Sequence, residues 1–377
     1  MAIEGIELLP PKVSTKEALD LYKKVADIKS AIGRLNAELN HSIIDKNIIQ
    51  IFSLQESVQS TRIEGTQVTF ADMIEQATNE KKSKEVIEVL NYRKALRRGI
   101  ELLKAGNPIS SKMIRELHSI LMSGETRGTT SASGEFRKVQ NFIGPDKKIE
   151  NATYIPISAE KISDYMTNLE YYINGEVHSS FSTFDEYEEY EVFDQNVDTL
   201  IKTAIIHAQF ESIHPFLDGN GRLGRILIIL CFMMDDLINE PVFFISEELE
   251  KERLRYYNRL NGVRGDNPDW YSWIDFFLSA SQRMANSLLK KLENIEDLAK
   301  TGLSIINEKN ATINNIWLYT FSNPYCTAKD VADDLQITSQ TARRHLNVLA
   351  EKKLLEMDQS KKRNRLYVNY DLISILS

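Results

Sequence analysis

Only two cysteines, Cys231 and Cys326, occur in 377 residues, and neither lies in a CxxC pair or beside a histidine-rich tract. That excludes a disulfide framework and gives no reason to expect zinc. Both read as reduced, buried thiols suited to a reducing cytosol. No run approaches the roughly 18 apolar residues of a membrane span. The start, Met1-Ala2-Ile3-Glu4-Gly5, lacks the basic and apolar parts of a secretory leader. A cytoplasmic protein without membrane contact is expected. Net positive charge is lacking too: at −8 the chain as a whole does not suit a polyanion. No internal repeat is present.

What is present is an ordinary balance of 42% hydrophobic and 27% charged residues, on a chain long enough for two or three domains. The charge is uneven. Residues 311–377 hold nine basic residues against seven acidic ones, net +2, which leaves −10 for the rest. That asymmetry suggests a separate terminal module.

Helical periodicity dominates, and a mainly α fold is expected. Leu19, Leu21, Val25, Ile28, Ile32 and Leu35 mark an amphipathic helix over about 16–40. Further helices are expected over about 46–62, 83–104, 111–123, 158–175, 197–213, 247–260 and 270–292, and Ile226–Met234 reads as buried helix. Between them, Val139–Ile143, Gly144-Pro145-Asp146 and Ala152–Ile155 read as a β-hairpin. The acidic, aromatic stretch Phe181–Asp194 reads as a solvated loop. Lys300-Thr301-Gly302 reads as a loop before the terminal module.

The densest chemistry lies in His214-Pro215-Phe216-Leu217-Asp218-Gly219-Asn220-Gly221-Arg222-Leu223-Gly224-Arg225. Pro215 disfavours helix at the preceding residue, so His214 should end one helix and project into a loop. Gly219-Asn220-Gly221-Arg222 can turn successive N–H groups into a concave nest feeding the next helix's N-terminus, a natural anion site. Arg222 and Arg225 can share a helix face and offer planar forks to phosphate. Asp218 offers a hard oxygen for Mg²⁺. Phe216 should pack inward. No GKS/T P-loop and no dinucleotide fingerprint is present.

This dodecamer matches HPFx[DE]GNGRxxR at every defined position, and the chain so resembles the Fic (filamentation-induced-by-cAMP) proteins. The resemblance implies a helical Fic core with a β-hairpin flap, and transfer of AMP from ATP to a protein hydroxyl. His214 would be the general base on a Ser, Thr or Tyr hydroxyl. Asp218 would hold Mg²⁺. Gly219, Asn220, Gly221, Arg222 and Gly224 would cradle the phosphates, and Arg225 would take the γ-phosphate. Relatives that phosphorylate instead carry lysine at the position of Gly221, so a nucleotidyltransferase is implied. Upstream, Ser60-Thr61-Arg62-Ile63-Glu64-Gly65 matches the family's inhibitory [ST]xxxE[GN]. Ser60 and Glu64 lie one helical turn apart, Gly65 is a plausible helix stop, and Glu64 could pair bidentately with Arg225. Some relatives also remove AMP, so a de-AMPylase with the same site is an alternative.

Gly134-Glu135-Phe136-Arg137 and the hairpin through Tyr154 resemble the flap that receives a target protein as an added strand, around 139–155. Self-modification and a homodimer are further associations for test. For adenine, Glu252-Arg253-Leu254-Arg255-Tyr256-Tyr257 stands where the family often has NRxxYY. Glu252 replaces the asparagine, and Tyr257 is the candidate stacking ring. Near the other end, Thr327–Leu335, Gln336-Ile337-Thr338 and a helix opened by Ser339 resemble a winged helix-turn-helix. Lys361-Lys362-Arg363-Asn364-Arg365 would form its wing, and DNA or protein would be its contact. The expected domains are 1–105 (helical, with the inhibitory helix), 106–295 (Fic core) and 305–377 (winged helix). The alternative from another class is a nucleotide-sensing DNA-binding regulator.

Overall fold

Two helices that are apolar on every side set the centre of the larger unit. The computed structural model describes residues 2–75, 83–124, 133–146, 148–181, 189–307, 310–358 and 365–376. In chain order come β1 (Ile3–Glu4), β2 (Lys12–Ser14), α1 (Thr15–His41), α2 (Asp45–Ile63), α3 (Phe70–Glu75), α4 (Lys84–Lys104) and α5 (Ser111–Leu121). Then follow β3 (Tyr154–Ile155), α6 (Ile162–Ile173), β4 (Tyr190–Val192), α7 (Thr199–Ile213), α8 (Asn220–Met234), α9 (Ser246–Lys251) and α10 (Arg253–Gly262). The last are α11 (Trp270–Ile306), α12 (Ala311–Tyr319), β5 (Tyr325–Thr327), α13 (Ala328–Leu335), α14 (Ser339–Glu351), β6 (Glu356–Met357), β7 (Leu366–Val368) and α15 (Tyr370–Leu376). The chain forms two compact units, Met1–Ile32 with Glu56–Met284, and Gly33–Gln55 with Ala285–Ser377. No helix among the described residues is long and apolar enough to cross a membrane.

In the first unit α7 is buried from Leu200 to Ile213 and α8 along nearly its whole length, and they pack on each other. A helix without a polar face must sit at the centre. α4, α5, α6 and α10 cover this pair. Capping is local: Ser83, Ser110 and Asp198 each accept a backbone N–H at the start of α4, α5 and α7. On α1 the buried stripe is Leu21, Val25, Ile28, Ile32, Leu35 and Leu39. Leu19, counted in the stripe from sequence, is 60% exposed, because it falls nearly half a turn, about 160°, from that face.

Other expectations are corrected as well. The hairpin is held closed by the single bridge Ile143↔Tyr154, and β3 instead pairs in parallel with β1, a partner some 150 residues away in sequence. The acidic stretch is not all loop, since β4 pairs antiparallel with β2 and Phe193 is fully buried beside Tyr22. Its residues Asp185, Glu186, Tyr187 and Glu188 lie outside the described residues. The helix expected over 247–260 is two, α9 and α10, broken at Glu252.

In the second unit β5, β7 and β6 form an antiparallel sheet with β7 central. Thr327 and Asp330 make a reciprocal capping box on α13, and Gln336 is left-handed in the turn. The cap of α14 is Thr338, whose hydroxyl accepts the Thr341 N–H at 3.1 Å, with Ser339 already inside the helix. Ala342, His345, Leu346 and Leu349 face inward, while Ser339, Gln340, Arg343 and Arg344 are exposed. The wing residues Lys361–Asn364 lie outside the described residues.

Lys300-Thr301-Gly302 is no loop: α11 runs through to Ile306. Gly302 is there for packing. A Cβ on it would overlap the Trp317 ring, whose Nε1 donates to the Ala299 carbonyl at 3.0 Å. Gly302→Val should therefore destabilise the second unit by about 1–3 kcal/mol through overpacking. Urea titration of the full chain checks this, and an unchanged midpoint would contradict the packing role.

Candidate active site

His214 owes its position to the abrupt end of α7. The residue is left-handed (φ 50°, ψ 60°) and its N–H reaches the Phe210 carbonyl at 3.0 Å, after which Pro215 turns the chain away. The carbonyls at this helix end are taken by two buried guanidinium groups. Arg137 Nε donates to the His214 carbonyl at 2.9 Å, and Arg264 donates to the Glu211 carbonyl at 3.2 Å and to Ser212 Oγ at 3.1 Å. Cations suit the negative end of a helix. Burial first, and then Arg264 and Arg137, push the His214 pKa down to about 4, against the opposing pull of the Glu211 carbonyl and Glu64. The Glu211 carbonyl, 3.3 Å from Nδ1, can only accept, so Nδ1 carries the proton and Nε2 keeps a free lone pair.

The loop after His214 is braced from within. The Phe216 N–H donates to Asn220 Oδ1 and Asn220 Nδ2 returns to the Phe216 carbonyl, both at 2.9 Å. The side chain of Asn220, expected to face a nucleotide, is thus occupied in closing the loop. Phe216 is fully buried, as its sequence context suggested. Gly219 is left-handed (φ 80°) and a Cβ there would press on Met122 Sδ at 2.8 Å. α8 then begins with the amides of Gly221 and Arg222 lacking intrahelical acceptors. Gly224 faces α7, where a Cβ would meet Glu211 Oε1 at 2.6 Å.

Charge is concentrated here with few partners. Arg222 is 4% exposed, its Nη2 lies 3.4 Å from Asp218 Oδ1, and its Nε and Nη1 have no partner among the described residues. The Asp218 side chain is 45% exposed. Arg225 is 1% exposed. Its Nε donates to Ser60 Oγ at 2.8 Å, and its Nη2 to the Ser60 carbonyl at 2.9 Å and to Glu64 Oε1 at 2.7 Å. Arg225 Nη1 has no partner among the described residues. The bidentate pairing expected with Glu64 is replaced by one contact to the carboxylate and two to Ser60. Glu64 Oε1 also lies so close to Gly221 that a Cβ there would overlap it. The carboxylate therefore lies against the first turn of α8 at Gly221.

α2 presents Ser60 and Glu64 together because four residues separate them, and it ends where left-handed Gly65 (φ 91°) bonds back to the Arg62 carbonyl at 2.9 Å. Burial alone would raise the Glu64 pKa, but Arg225, Arg222 and His214 outweigh it and hold the carboxyl below its usual range. The ion pair is thus intact at neutral pH and is lost only as pH falls through that lowered value. Tyr257 sits at the same helix end, its hydroxyl 3.5 Å from the Ile63 carbonyl, half-buried.

Sequence reasoning missed several groups. Glu56, one turn before Ser60, accepts from Tyr92 at 2.7 Å and Ser246 at 2.6 Å, and burial pushes its pKa up to about 7. Glu211, whose Oε1 has no partner among the described residues, is likewise pushed up to about 7 by burial. His118 and Arg264 join the site from elements remote in sequence. Only burial and partners identify such residues, and neither is visible in a single sequence.

Residues 108–232 match the Fic/DOC family and residues 22–101 the Fic/DOC family N-terminal region. A probable protein adenylyltransferase of Aquifex aeolicus is 46% identical over 46 residues, 12% of this chain and 14% of that protein. A protein adenylyltransferase of Caenorhabditis elegans is 27% identical over 196 residues, 52% of this chain and 32% of that one. The chain thus spans a third or less of the length of these two relatives. A Fic family protein from Desulfovibrio desulfuricans has the same fold, with a TM-score of 0.56, 19% identity, and coverage of 96% of this chain and 98% of that one.

The depressed His214 pKa has a direct test. The unfolded ring binds a proton near pH 6.5 and the folded one only near 4. Acid therefore destabilises the fold across that window. NMR of the nucleotide-free protein should show His214 neutral at pH 6, and a midpoint near 6.5 would contradict its burial.

Proposed function

Since the chain belongs to the Fic/DOC family, we propose that it is a protein adenylyltransferase that moves AMP from ATP to Ser, Thr or Tyr hydroxyls of target proteins and of itself. We further propose that Glu64 holds it inhibited. The observation that carries this reading is one buried guanidinium, Arg225, held by Ser60 and Glu64 directly over the anion-binding loop. Arg222 Nε and Nη1, unpartnered beside it, mark where a polyanion would complete the site.

His214 Nε2 takes the proton of the incoming hydroxyl, whose oxygen attacks the α-phosphorus. The bond from that phosphorus to the bridging oxygen breaks, and pyrophosphate leaves in line. The amides of Gly221 and Arg222 and the Arg222 guanidinium receive the developing charge. Arg225 takes the γ-phosphate once Glu64 has left it. Among the described residues no three or more His, Cys, Asp or Glu groups gather to hold a metal. A single half-exposed carboxylate, Asp218, still fits Mg²⁺, which keeps several waters and takes phosphate oxygens as ligands. When bound, Mg²⁺ neutralises phosphate charge. Tyr257 is near enough to Glu64 to border the nucleotide. Removal of AMP would draw on the same groups, with Glu64 placing a water; the charge coupling of Glu64 to His214 favours keeping that second reading.

Incubation with α-labelled ATP tests the proposal. Wild type should label itself weakly, Glu64→Gly at least about ten-fold more, as expected when a ~1.4 kcal/mol constraint is lifted. His214→Ala in that background should not label. Undiminished labelling by the His214→Ala variant removes the base from the mechanism, and equal labelling with and without Glu64 removes the brake. Nucleotide binding without any covalent label supports a sensing regulator instead.

A further inference from the structure

His118 is 4% exposed on α5, about 100 residues before the loop it touches. The Gly134 N–H donates to its Nδ1 at 2.9 Å, so Nδ1 bears the lone pair and Nε2 the proton. Nε2–H then donates to the Asp218 carbonyl at 3.0 Å. The ring stacks on Phe216, centroids 3.7 Å apart and planes 6° from parallel. Gly219 presses on the same ring, where a Cβ would come within 3.4 Å of Nε2.

Both of its partners sit at tight turns. Gly134 is left-handed (φ 86°) and closely packed on the Arg115 carbonyl and Ser119, at the start of the segment that runs through Arg137. Arg137 N–H in turn donates to the Pro215 carbonyl at 2.8 Å. The Asp218-Gly219 turn carries the carboxylate and the first residue of the anion loop. One imidazole thus fixes a backbone amide of the flap segment and a backbone carbonyl of the loop.

We propose that His118 is a positioning residue that ties the start of the flap to the Asp218-Gly219 turn, so that target docking and nucleotide seating are set by one ring. The role of the tie in catalysis rests on the adenylyltransferase reading; the tie itself does not. His118→Phe keeps the stack on Phe216 and removes both hydrogen bonds. His118→Gln can restore the donor to Asp218.

Amide hydrogen exchange on the nucleotide-free full chain reads the tie. In His118→Phe, peptides covering 133–143 and 215–222 should exchange faster together, by roughly ten-fold. His118→Gln should recover the 215–222 peptide. Leu117→Ala, a buried neighbour on the same helix, should destabilise the chain without singling out these two peptides. Unchanged exchange in either peptide of His118→Phe overturns the tie. In a Glu64→Gly background, His118→Phe should lower labelling about ten-fold or more and raise the Mg²⁺ concentration at which ATP binding, read by calorimetry, is half-maximal. Coupled exchange with unchanged labelling overturns the positioning role. If the Glu64→Gly parent itself gives no label, the adenylyltransferase reading fails while the exchange result still decides the tie.

Discussion

A guanidinium that is 1% exposed cannot be left without negative charge, and Arg225 governs the rest of this site for that reason. Breaking a buried pair by removing one partner costs about 3–5 kcal/mol, because the surviving charge has neither water nor counter-ion. In the structure Ser60 and Glu64 meet that need, and Glu64 holds Arg225 well above the ordinary range despite burial. A triphosphate offers the same guanidinium a comparable partner. Inhibition in the proposed reading is thus a competition between two anions for one cation, and neither outcome leaves Arg225 bare.

In that reading the fold supplies densely packed surroundings for the competition. α7 and α8 are buried on all sides, so the turn between them has little freedom, and Asn220 closes it on Phe216 from inside. Arg137 and Arg264 neutralise the end of α7 and at the same time keep His214 uncharged. That pair holds the helix end that carries the imidazole and adds to the burial that keeps it neutral. A neutral imidazole and arginine donors without partners among the described residues are set together by the same burial.

The local shape of the loop was legible in the chain because its parts are neighbours in sequence. Pro215 requires a break after α7, Gly219 permits the left-handed turn, and two residues four apart on a helix must share a face, which is how Ser60 and Glu64 meet Arg225. What failed was long-range or depended on a neighbour's shape. Gly302 looks like a loop glycine until Trp317 is seen lying on it, and Tyr154–Ile155 pairs with the first residues of the chain more than with its own hairpin arm. Asn220 looked like a phosphate ligand but braces its own loop, and Gly224 faces α7. His118 and Arg264 carried no signal at all, since a lone histidine on a helix or a lone arginine just past one gives no hint of a partner so distant in sequence.

The most direct measurement is calorimetric titration of the full chain, with and without Glu64→Gly, by ATP and by AMP in the presence of magnesium. If Glu64 and the γ-phosphate compete for Arg225, removing the carboxylate tightens ATP by about ten-fold or more while AMP, which never reaches that arginine, changes little; the gain corresponds to at least ~1.4 kcal/mol. An equal change for both nucleotides, or none for ATP, would contradict the competition.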